Sequence, residues 1–307
     1  MKKKFLLSHQ TAFMRAPYLY PELRFFLFTA GYGAGKTSSV ATAVTYDMMM
    51  LKDKRDREGR RPRLGLGGKS LGHLVKTTLG YIISDLENSK TPYKYNSKES
   101  VLSVGNVDLY LVSLSRPGDI VGYDVCGFYG DEVDDLGSVT ISSASDMTFE
   151  AVKAVNERTR QVIPGFRPPF VKFASTSQGQ RGLYRVVSQF NKEQTGYLRI
   201  KARTRDNFYL KKEYVDSLYK FYTEIEAKVY LEGEFLSVGS GRIFPDFDWE
   251  QNFTRIAMDR MILPNEELYW AQDFNMGYFR GCVGVLRGNA IRSEERRVGK
   301  ECRSRWS

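Results

Sequence analysis

The chain has 307 residues, 42% of them hydrophobic and 27% charged, which provides enough apolar side chain for a sizeable core and excludes a disordered polymer. It has no apolar run of roughly 18 residues, no signal-peptide pattern behind its Lys-rich start, and only three scattered cysteines and two histidines, so we expect a soluble chain, neither secreted nor membrane-spanning, without zinc fingers or a disulfide framework. The formal net charge of +10 is typical of proteins that bind polyanions such as nucleic acid, although a basic solvated surface gives the same balance.

Apolar runs and helical spacing alternate along the first 235 residues, and this alternation predicts an α/β fold with a mostly parallel sheet covered on both faces. The dipeptide Gly105-Asn106, typical of two-residue turns, predicts a hairpin within it. After the last helical pattern several glycines and Pro245 interrupt the chain, and new strands are predicted at 268–274 and 280–286. The elements predicted before that interruption are strands at 23–28, 64–67, 101–104, 107–112, 125–129, 170–174 and 197–202, and helices at 37–51, 71–86, 149–160, 183–190 and 211–231.

A glycine-rich segment, Ala30-Gly31-Tyr32-Gly33-Ala34-Gly35-Lys36-Thr37, joins the first predicted strand to the first predicted helix. This is the context of a Walker A loop, in which backbone N–H groups of Gly31, Gly33 and Gly35 and the helix N-terminus bind phosphate. We expect Lys36 to reach the β- and γ-phosphates of a nucleotide and the Thr37 hydroxyl to bind Mg²⁺. The strict pattern has glycine where this chain has alanine at its first position, and an ordinary glycine-rich turn is the alternative.

An apolar strand delivers two adjacent carboxylates, Asp131 and Glu132, at its carboxyl end, the edge at which open α/β sheets bind ligands. We expect Asp131 to help hold Mg²⁺, as a Walker B aspartate does, and Glu132 to orient or deprotonate the attacking water. The next acids, Asp134 and Asp135, are expected to be solvated. An acidic pair alone also fits surface charges of a loop, but together with Lys36 it favours a nucleotide hydrolase over a kinase or dehydrogenase.

At these residues the chain resembles the large terminase subunit of tailed bacteriophages, an ATP-driven motor and nuclease that packages DNA, over about residues 5–289. The resemblance implies a P-loop ATPase of the additional-strand type that uses ATP with Mg²⁺. It further implies that Gln10 contacts adenine and that Ser175-Thr176-Ser177 is the motif that couples hydrolysis to movement, although an ordinary Ser/Thr-rich loop is an equal alternative for the latter. Many relatives carry arginine where Tyr32 stands, so a transition-state arginine is expected elsewhere, in cis or from a neighbouring subunit.

The resemblance also divides the chain into an ATPase domain at 1–235, a linker at 236–265 and the start of an RNase H-like nuclease at 266–289. Asp273 matches the first metal-binding carboxylate of that nuclease, which uses Mg²⁺ or Mn²⁺. Two-metal cleavage needs several converging acids, and Asp273 is the one carboxylate here that matches the family's metal ligands, so nuclease activity is expected to be lost by truncation. Residues 290–307 show no strand or helix period and are expected to be a non-native tail; a natural basic tail that touches DNA is the alternative.

The function implied is ATP-driven translocation of double-stranded DNA into a procapsid in the cytoplasm of an infected bacterial host. The partners implied by the family are a small terminase subunit and the portal of the procapsid, on which copies of the chain would assemble as a homo-oligomer. Two alternatives stay open: another P-loop ATPase acting on DNA, of helicase or strand-transfer type, and a non-catalytic DNA-binding module with a degenerate nucleotide loop, for which Ala30 would be the sign.

Overall fold

The computed structural model describes residues 5–120, 122–134, 136, 141–179, 182–236, 267–275, 278–287 and 290–298. The chain divides into two compact units, Met1–Ser240 and Gly241–Ser307. None of the described helices is both long enough and apolar enough to cross a lipid bilayer.

The first unit contains eight α-helices and eight β-strands among its described residues. The helices are α1 (Ser8–Leu19), α2 (Lys36–Leu51), α3 (Leu71–Lys76), α4 (Thr78–Asn88), α5 (Ile141–Arg158), α6 (Gly182–Glu193), α7 (Lys212–Phe221) and α8 (Glu224–Tyr230). The strands are β1 (Phe25–Ala30), β2 (Arg63–Gly68), β3 (Lys94–Asn96), β4 (Val101–Val104), β5 (Val107–Ser113), β6 (Gly127–Asp131), β7 (Phe170–Ser175) and β8 (Tyr197–Ala202).

The eight strands form one sheet in the order β3-β4-β5-β2-β6-β7-β1-β8. Every pairing from β5 to β8 is parallel, and only the β3-β4-β5 edge is antiparallel. Strand β1 pairs Thr29 with Ser175 of β7, and β6 pairs Asp131 with Ala174 of β7. The carboxyl ends of β1, β7 and β6 are therefore neighbours at one edge of the sheet.

Helices cover both faces of the sheet, as the alternation of elements predicts. Alternate side chains of β1 lie on opposite faces of the sheet. Phe26 and Phe28 pack in a core with α1, α2 and α4. Phe25 and Leu27 pack in a second core with α5 and α6. This two-sided burial explains why the strand is a continuous apolar run, since neither face meets water.

Two helices predicted as single are each divided in the structure. The predicted helix at 71–86 breaks at Thr77, whose φ of −110° and ψ of −89° are not helical, and continues as α4. The predicted helix at 211–231 breaks before Thr223, whose hydroxyl accepts a hydrogen bond from the Glu226 N–H while the Glu226 side chain bonds back. This Thr-x-x-Glu capping box was visible in the sequence and marks a new helix start.

The other differences lie in regions with weak sequence periodicity. Helix α1, which precedes the first strand, was not predicted, and α5 begins at Ile141 instead of near residue 149. The hairpin is confirmed: β4 and β5 are antiparallel, and Gly105 at the turn has a φ of +58°.

The second unit is a three-stranded antiparallel sheet in the order β11-β10-β9 among its described residues. Its strands are β9 (Leu268–Asn275), β10 (Tyr278–Arg287) and β11 (Ala290–Val298). The two strands predicted here are confirmed, and Asp273 of β9 stands opposite Arg280 of β10. Although the sequence after residue 290 shows no strand period, β11 pairs with β10 from Ala290 to Val298, and residues 299–307 of the expected non-native tail lie outside the described residues. Apart from residue 236, the expected linker at 236–265 lies outside the described residues.

Candidate functional site

The loop of residues 30–37, here called the phosphate loop, leaves the sheet at the end of β1. Ala30 is the fully buried last residue of β1, so the loop proper starts at Gly31. Gly33 and Gly35 have φ values of +74° and +86°, a left-handed backbone that favours glycine. Gly31 is needed for another reason, since a Cβ there would lie 2.1 Å from the carbonyl oxygen of Leu231. Each glycine in the motif thus has a definite structural cause.

The phosphate loop is held by residues far along the chain. The Gly31 N–H donates to the carbonyl oxygen of Ala202 (3.1 Å), and the Tyr32 N–H donates to that of Tyr230 (2.9 Å). The Thr204 hydroxyl donates to the Tyr32 carbonyl oxygen at 2.7 Å. The end of β8, the turn after it and the end of α8 therefore fix the shape of the loop.

Lys36, the first residue of α2, is 5% exposed, and its ammonium points back along the loop. It donates to the carbonyl oxygens of Ala30 (3.2 Å) and Gly31 (3.0 Å), and Nζ lies 3.8 Å from Glu132 Oε1. Burial lowers the pKa of Lys36, and the charges of Glu132 and Asp131 oppose that shift. A triphosphate placed here would give this buried cation a stronger anionic partner than Glu132 alone.

Asp131, the last residue of β6, is 2% exposed and accepts a hydrogen bond from the Thr78 hydroxyl at 2.7 Å. Burial raises its pKa to about 6; the Glu132 charge acts in the same direction, whereas Thr78, Thr37 and Lys36 act against it. Its other oxygen, Oδ1, is buried and accepts no hydrogen bond from any described residue. A buried carboxylate oxygen without a partner, with the Thr37 hydroxyl nearby, is a donor set that fits Mg²⁺.

Glu132 follows Asp131 with a φ of +54°, an uncommon conformation for a residue other than glycine. Its backbone N–H donates to the Ala174 carbonyl oxygen (2.9 Å), so β7 supports the turn. Its carboxylate accepts from the Thr176 N–H (3.3 Å) and, at the limit of a hydrogen bond, from the Ser175 hydroxyl (3.5 Å). These contacts place the carboxylate between Lys36 and the end of β7. Because the side chain is 29% exposed, water can still reach it.

The segment Ser175-Thr176-Ser177 is entirely buried. The Ser175 hydroxyl accepts from the Asp134 N–H at 3.0 Å, and the Ser177 hydroxyl accepts from the Gly179 N–H at 3.2 Å. The expectation that Asp134 is solvated is wrong: its carboxylate accepts from backbone N–H groups beyond β7, at residues 178 (2.8 Å) and 183 (2.7 Å). The loops after β6 and β7 consequently form one hydrogen-bonded body.

Gln10 of α1 is buried against the phosphate loop. Its side-chain oxygen accepts from the Leu7 N–H (2.9 Å), and its amide nitrogen donates to the Gly35 carbonyl oxygen (3.1 Å). The neighbouring His9 ring is 2.9 Å from the Ala34 carbonyl oxygen. In this structure the two side chains brace the phosphate loop from α1.

The structure brings together most of the residues predicted from sequence. Lys36, Asp131, Glu132 and the Ser175–Ser177 segment meet at the carboxyl edge of the sheet, with Gln10 beside the loop. Asp273 belongs to the second unit, and its side chain lies outside the description. The sequence did not predict the roles of four residues, Thr78, His9, Asp134 and Thr204. Each role depends on a contact between distant segments. Of the four, only Asp134 had a feature in the sequence, its acidic side chain, that could have pointed to a role in the site.

Comparison with known proteins gives structural relatives only, since no protein-family profile and no curated protein sequence matches. The large terminase of a thermophilic bacteriophage, in complex with ADP, is 15% identical, with a TM-score of 0.60 over 96% of this chain and 69% of that chain. The large terminase of bacteriophage HK97 is 10% identical, with a TM-score of 0.53 over 97% and 64%. The large terminase ATPase domain of Thermus phage P74-26 is 12% identical, with a TM-score of 0.51 over 76% and 94%.

The first unit thus has the fold of a P-loop ATPase domain, with the phosphate loop between β1 and α2 and the acidic pair at the end of β6. Within that class, its fold is that of the phage large terminases, and the resemblance inferred from the sequence is confirmed at this level.

Proposed function

We propose that the chain is a DNA-packaging ATPase, a large terminase subunit that hydrolyses ATP to move double-stranded DNA into a procapsid. The observation that carries this proposal is the meeting of Lys36, Asp131 and Glu132 at the end of three neighbouring strands, with Glu132 hydrogen-bonded to the segment after β7. A site that only held a nucleotide would need the lysine but not a carboxylate that is accessible to water and tied to a second loop.

In the proposed reaction the chain's own residues act mainly by positioning and by charge. The phosphate-loop N–H groups and Lys36 bind the β- and γ-phosphates, and Glu132 orients the attacking water and accepts its proton. Thr37 and Asp131 would hold Mg²⁺, which when bound neutralises charge on the phosphate oxygens. Loss of the γ-phosphate changes what Lys36 and Glu132 contact. The hydrogen bond that the Glu132 carboxylate accepts from the Thr176 N–H transmits that change to Ser175-Thr176-Ser177.

The remaining roles follow from the same proposal. Lys and Arg side chains would hold duplex DNA through its phosphates without reading bases, so binding should weaken steeply with salt. A small terminase subunit would select the start site, and copies of this chain would assemble on the portal of a procapsid in the infected host's cytoplasm.

Asp273 is proposed as the first Mg²⁺ or Mn²⁺ ligand of an RNase H-like nuclease site. Cleavage of plasmid DNA with Mg²⁺ or Mn²⁺, measured for the wild type and for Asp273→Ala, tests this role.

ATP turnover with and without duplex DNA tests the proposal. The variants are Lys36→Ala and Glu132→Gln, and the matched controls are Lys98→Ala and Glu99→Gln, which change the same residue types on the exposed β3–β4 edge. We expect the wild type to hydrolyse ATP and duplex DNA to raise its turnover rate. The turnover rate of Glu132→Gln should be about 100-fold or more lower, because a general base is lost. A wild-type turnover rate equal to that of the Lys36→Ala and Glu132→Gln variants would refute the proposal. Unwinding of a forked duplex without packaging partners would favour a helicase.

A further inference from the structure

A groove of about 590 Å³ lies beside the phosphate loop, between the turn after β8 and helix α7. Its volume is that of a typical small-molecule site. Its lining combines apolar and polar side chains, among them Phe208, Leu210, Val215, Asn207, Lys212 and Lys220.

The groove is continuous with the phosphate loop. The Asn207 side-chain amide donates to the Gly33 carbonyl oxygen at 2.7 Å. The Leu210 side chain comes within 3.1 Å of the position that a Gly33 Cβ would occupy. A ligand whose phosphates are bound by the loop would therefore have its remaining part next to this groove.

Phe208 stands in this groove with 71% of its surface exposed. The turn that carries it is nevertheless fixed: the Tyr209 hydroxyl donates to the Phe5 carbonyl oxygen (3.0 Å), and the Tyr209 N–H donates to the Asn207 side chain (3.1 Å). The rings of Phe208 and Tyr209 are 4.5 Å apart, centre to centre. Burial in the core does not explain this aromatic ring, because most of its surface faces solvent at a position that the backbone holds in place.

We propose that the purine base of the bound nucleotide stacks on Phe208 in this groove. The inference rests on the proposed function, because it assumes that the phosphates lie on the loop at Lys36. Every base has a π-face, so a stacking platform responds to ring size more than to exocyclic groups. The groove consequently selects purine over pyrimidine nucleotides and discriminates little between adenine and guanine. The amide atoms of Gln10 bind Leu7 and Gly35, and Phe208 is then the main contact of the base.

Calorimetry of ATP and of inorganic tripolyphosphate, both with Mg²⁺, separates the base from the phosphates. In the wild type we expect ATP to bind more tightly than tripolyphosphate. Phe208→Ala should weaken ATP binding about 10-fold, the lower part of the range for base stacking, and leave tripolyphosphate binding unchanged. Phe208→Trp should retain tight ATP binding, and Tyr93→Ala, on the opposite edge of the sheet, should change neither ligand.

The outcomes distinguish this inference from the proposed function. If wild-type chain binds neither ligand, both fail together. If both ligands bind and Phe208→Ala weakens neither, or weakens the two equally, the groove does not hold the base although the phosphate site stands. GTP should bind within a few-fold of ATP and CTP more weakly; strong preference for ATP over GTP would show hydrogen-bond readout and overturn stacking as the basis of selection. The melting temperature of Phe208→Ala should match the wild type, since the side chain is mostly exposed.

Discussion

Gly31→Ala tests whether the phosphate loop is held by close packing against the end of α8. Gly31 does not adopt a left-handed backbone, so alanine brings no conformational penalty of that kind. Its Cβ, however, would lie 2.1 Å from the Leu231 carbonyl oxygen and 2.4 Å from the Thr204 hydroxyl. Leu231 cannot easily retreat, because its carbonyl oxygen accepts the Thr204 N–H at 2.7 Å.

The size of the effect follows from these distances. Ordinary van der Waals contact begins near 3.4 Å, so the loop and the α8 terminus must separate by about 1 Å. Overpacking of this kind costs about 1–3 kcal/mol of unfolding free energy. A displacement of about 1 Å in a phosphate-binding loop should also slow ATP turnover by roughly 100-fold. We therefore expect a moderate loss of stability and a large loss of activity.

Gly80→Ala is the matched control, because it makes the same change inside α4, where a Cβ would meet no described atom within 4 Å. Alanine is favoured over glycine in helices, so this variant should gain about 0.5–1 kcal/mol. Urea unfolding, with the slopes compared to confirm a common two-state transition, measures both variants. Equal stability of the Gly31→Ala variant and the wild type, with unchanged turnover, would refute the close packing at Leu231.

Two further predictions concern the buried carboxylates Asp47 and Asp56. Asp47 is 1% exposed and accepts hydrogen bonds from Tyr18 (2.5 Å), Tyr129 and the buried Arg167, so Asp47→Ala should cost about 3–5 kcal/mol in urea unfolding by leaving that guanidinium unpaired; a loss below about 1 kcal/mol would contradict this. For Asp56, burial acts to raise the pKa, but hydrogen bonds, the largest from Arg60, lower it from 3.8 to about 2. Because the folded pKa is the lower one, this stabilisation is present above about pH 4 and is lost as pH falls towards 2. In Asp56→Asn the unfolding free energy should depend less on pH over that interval than it does in the wild type. An unchanged pH dependence would contradict the lowered pKa of Asp56.

The sequence predicted the elements whose signals are local. The strand, loop and helix around Lys36 were predicted because the glycines, the apolar run and the helix composition all lie within one short segment. The hairpin at Gly105 was predicted for the same reason. The acidic pair was recognised because an apolar strand leads directly into Asp131.

The sequence did not predict features that depend on contacts between distant segments. The helix break at Thr77 precedes a hydroxyl contact from Thr78 to Asp131, 53 positions away, and no local pattern records it. The burial of Asp134 follows from backbone N–H groups of the loop after β7. Strand β11 was missed because its polar composition lacks a strand period, although it pairs along its length with β10.

Calorimetric titration of Mg²⁺-ATP into the wild type, Lys36→Ala and Glu132→Gln tests most directly whether Lys36 and Asp131-Glu132 act on one nucleotide. The account predicts that the wild type binds ATP, that Glu132→Gln binds it at least as tightly but turns it over about 100-fold or more slowly, and that Lys36→Ala loses binding. Absence of ATP binding by the wild type, or turnover unaffected by Glu132→Gln, would contradict it.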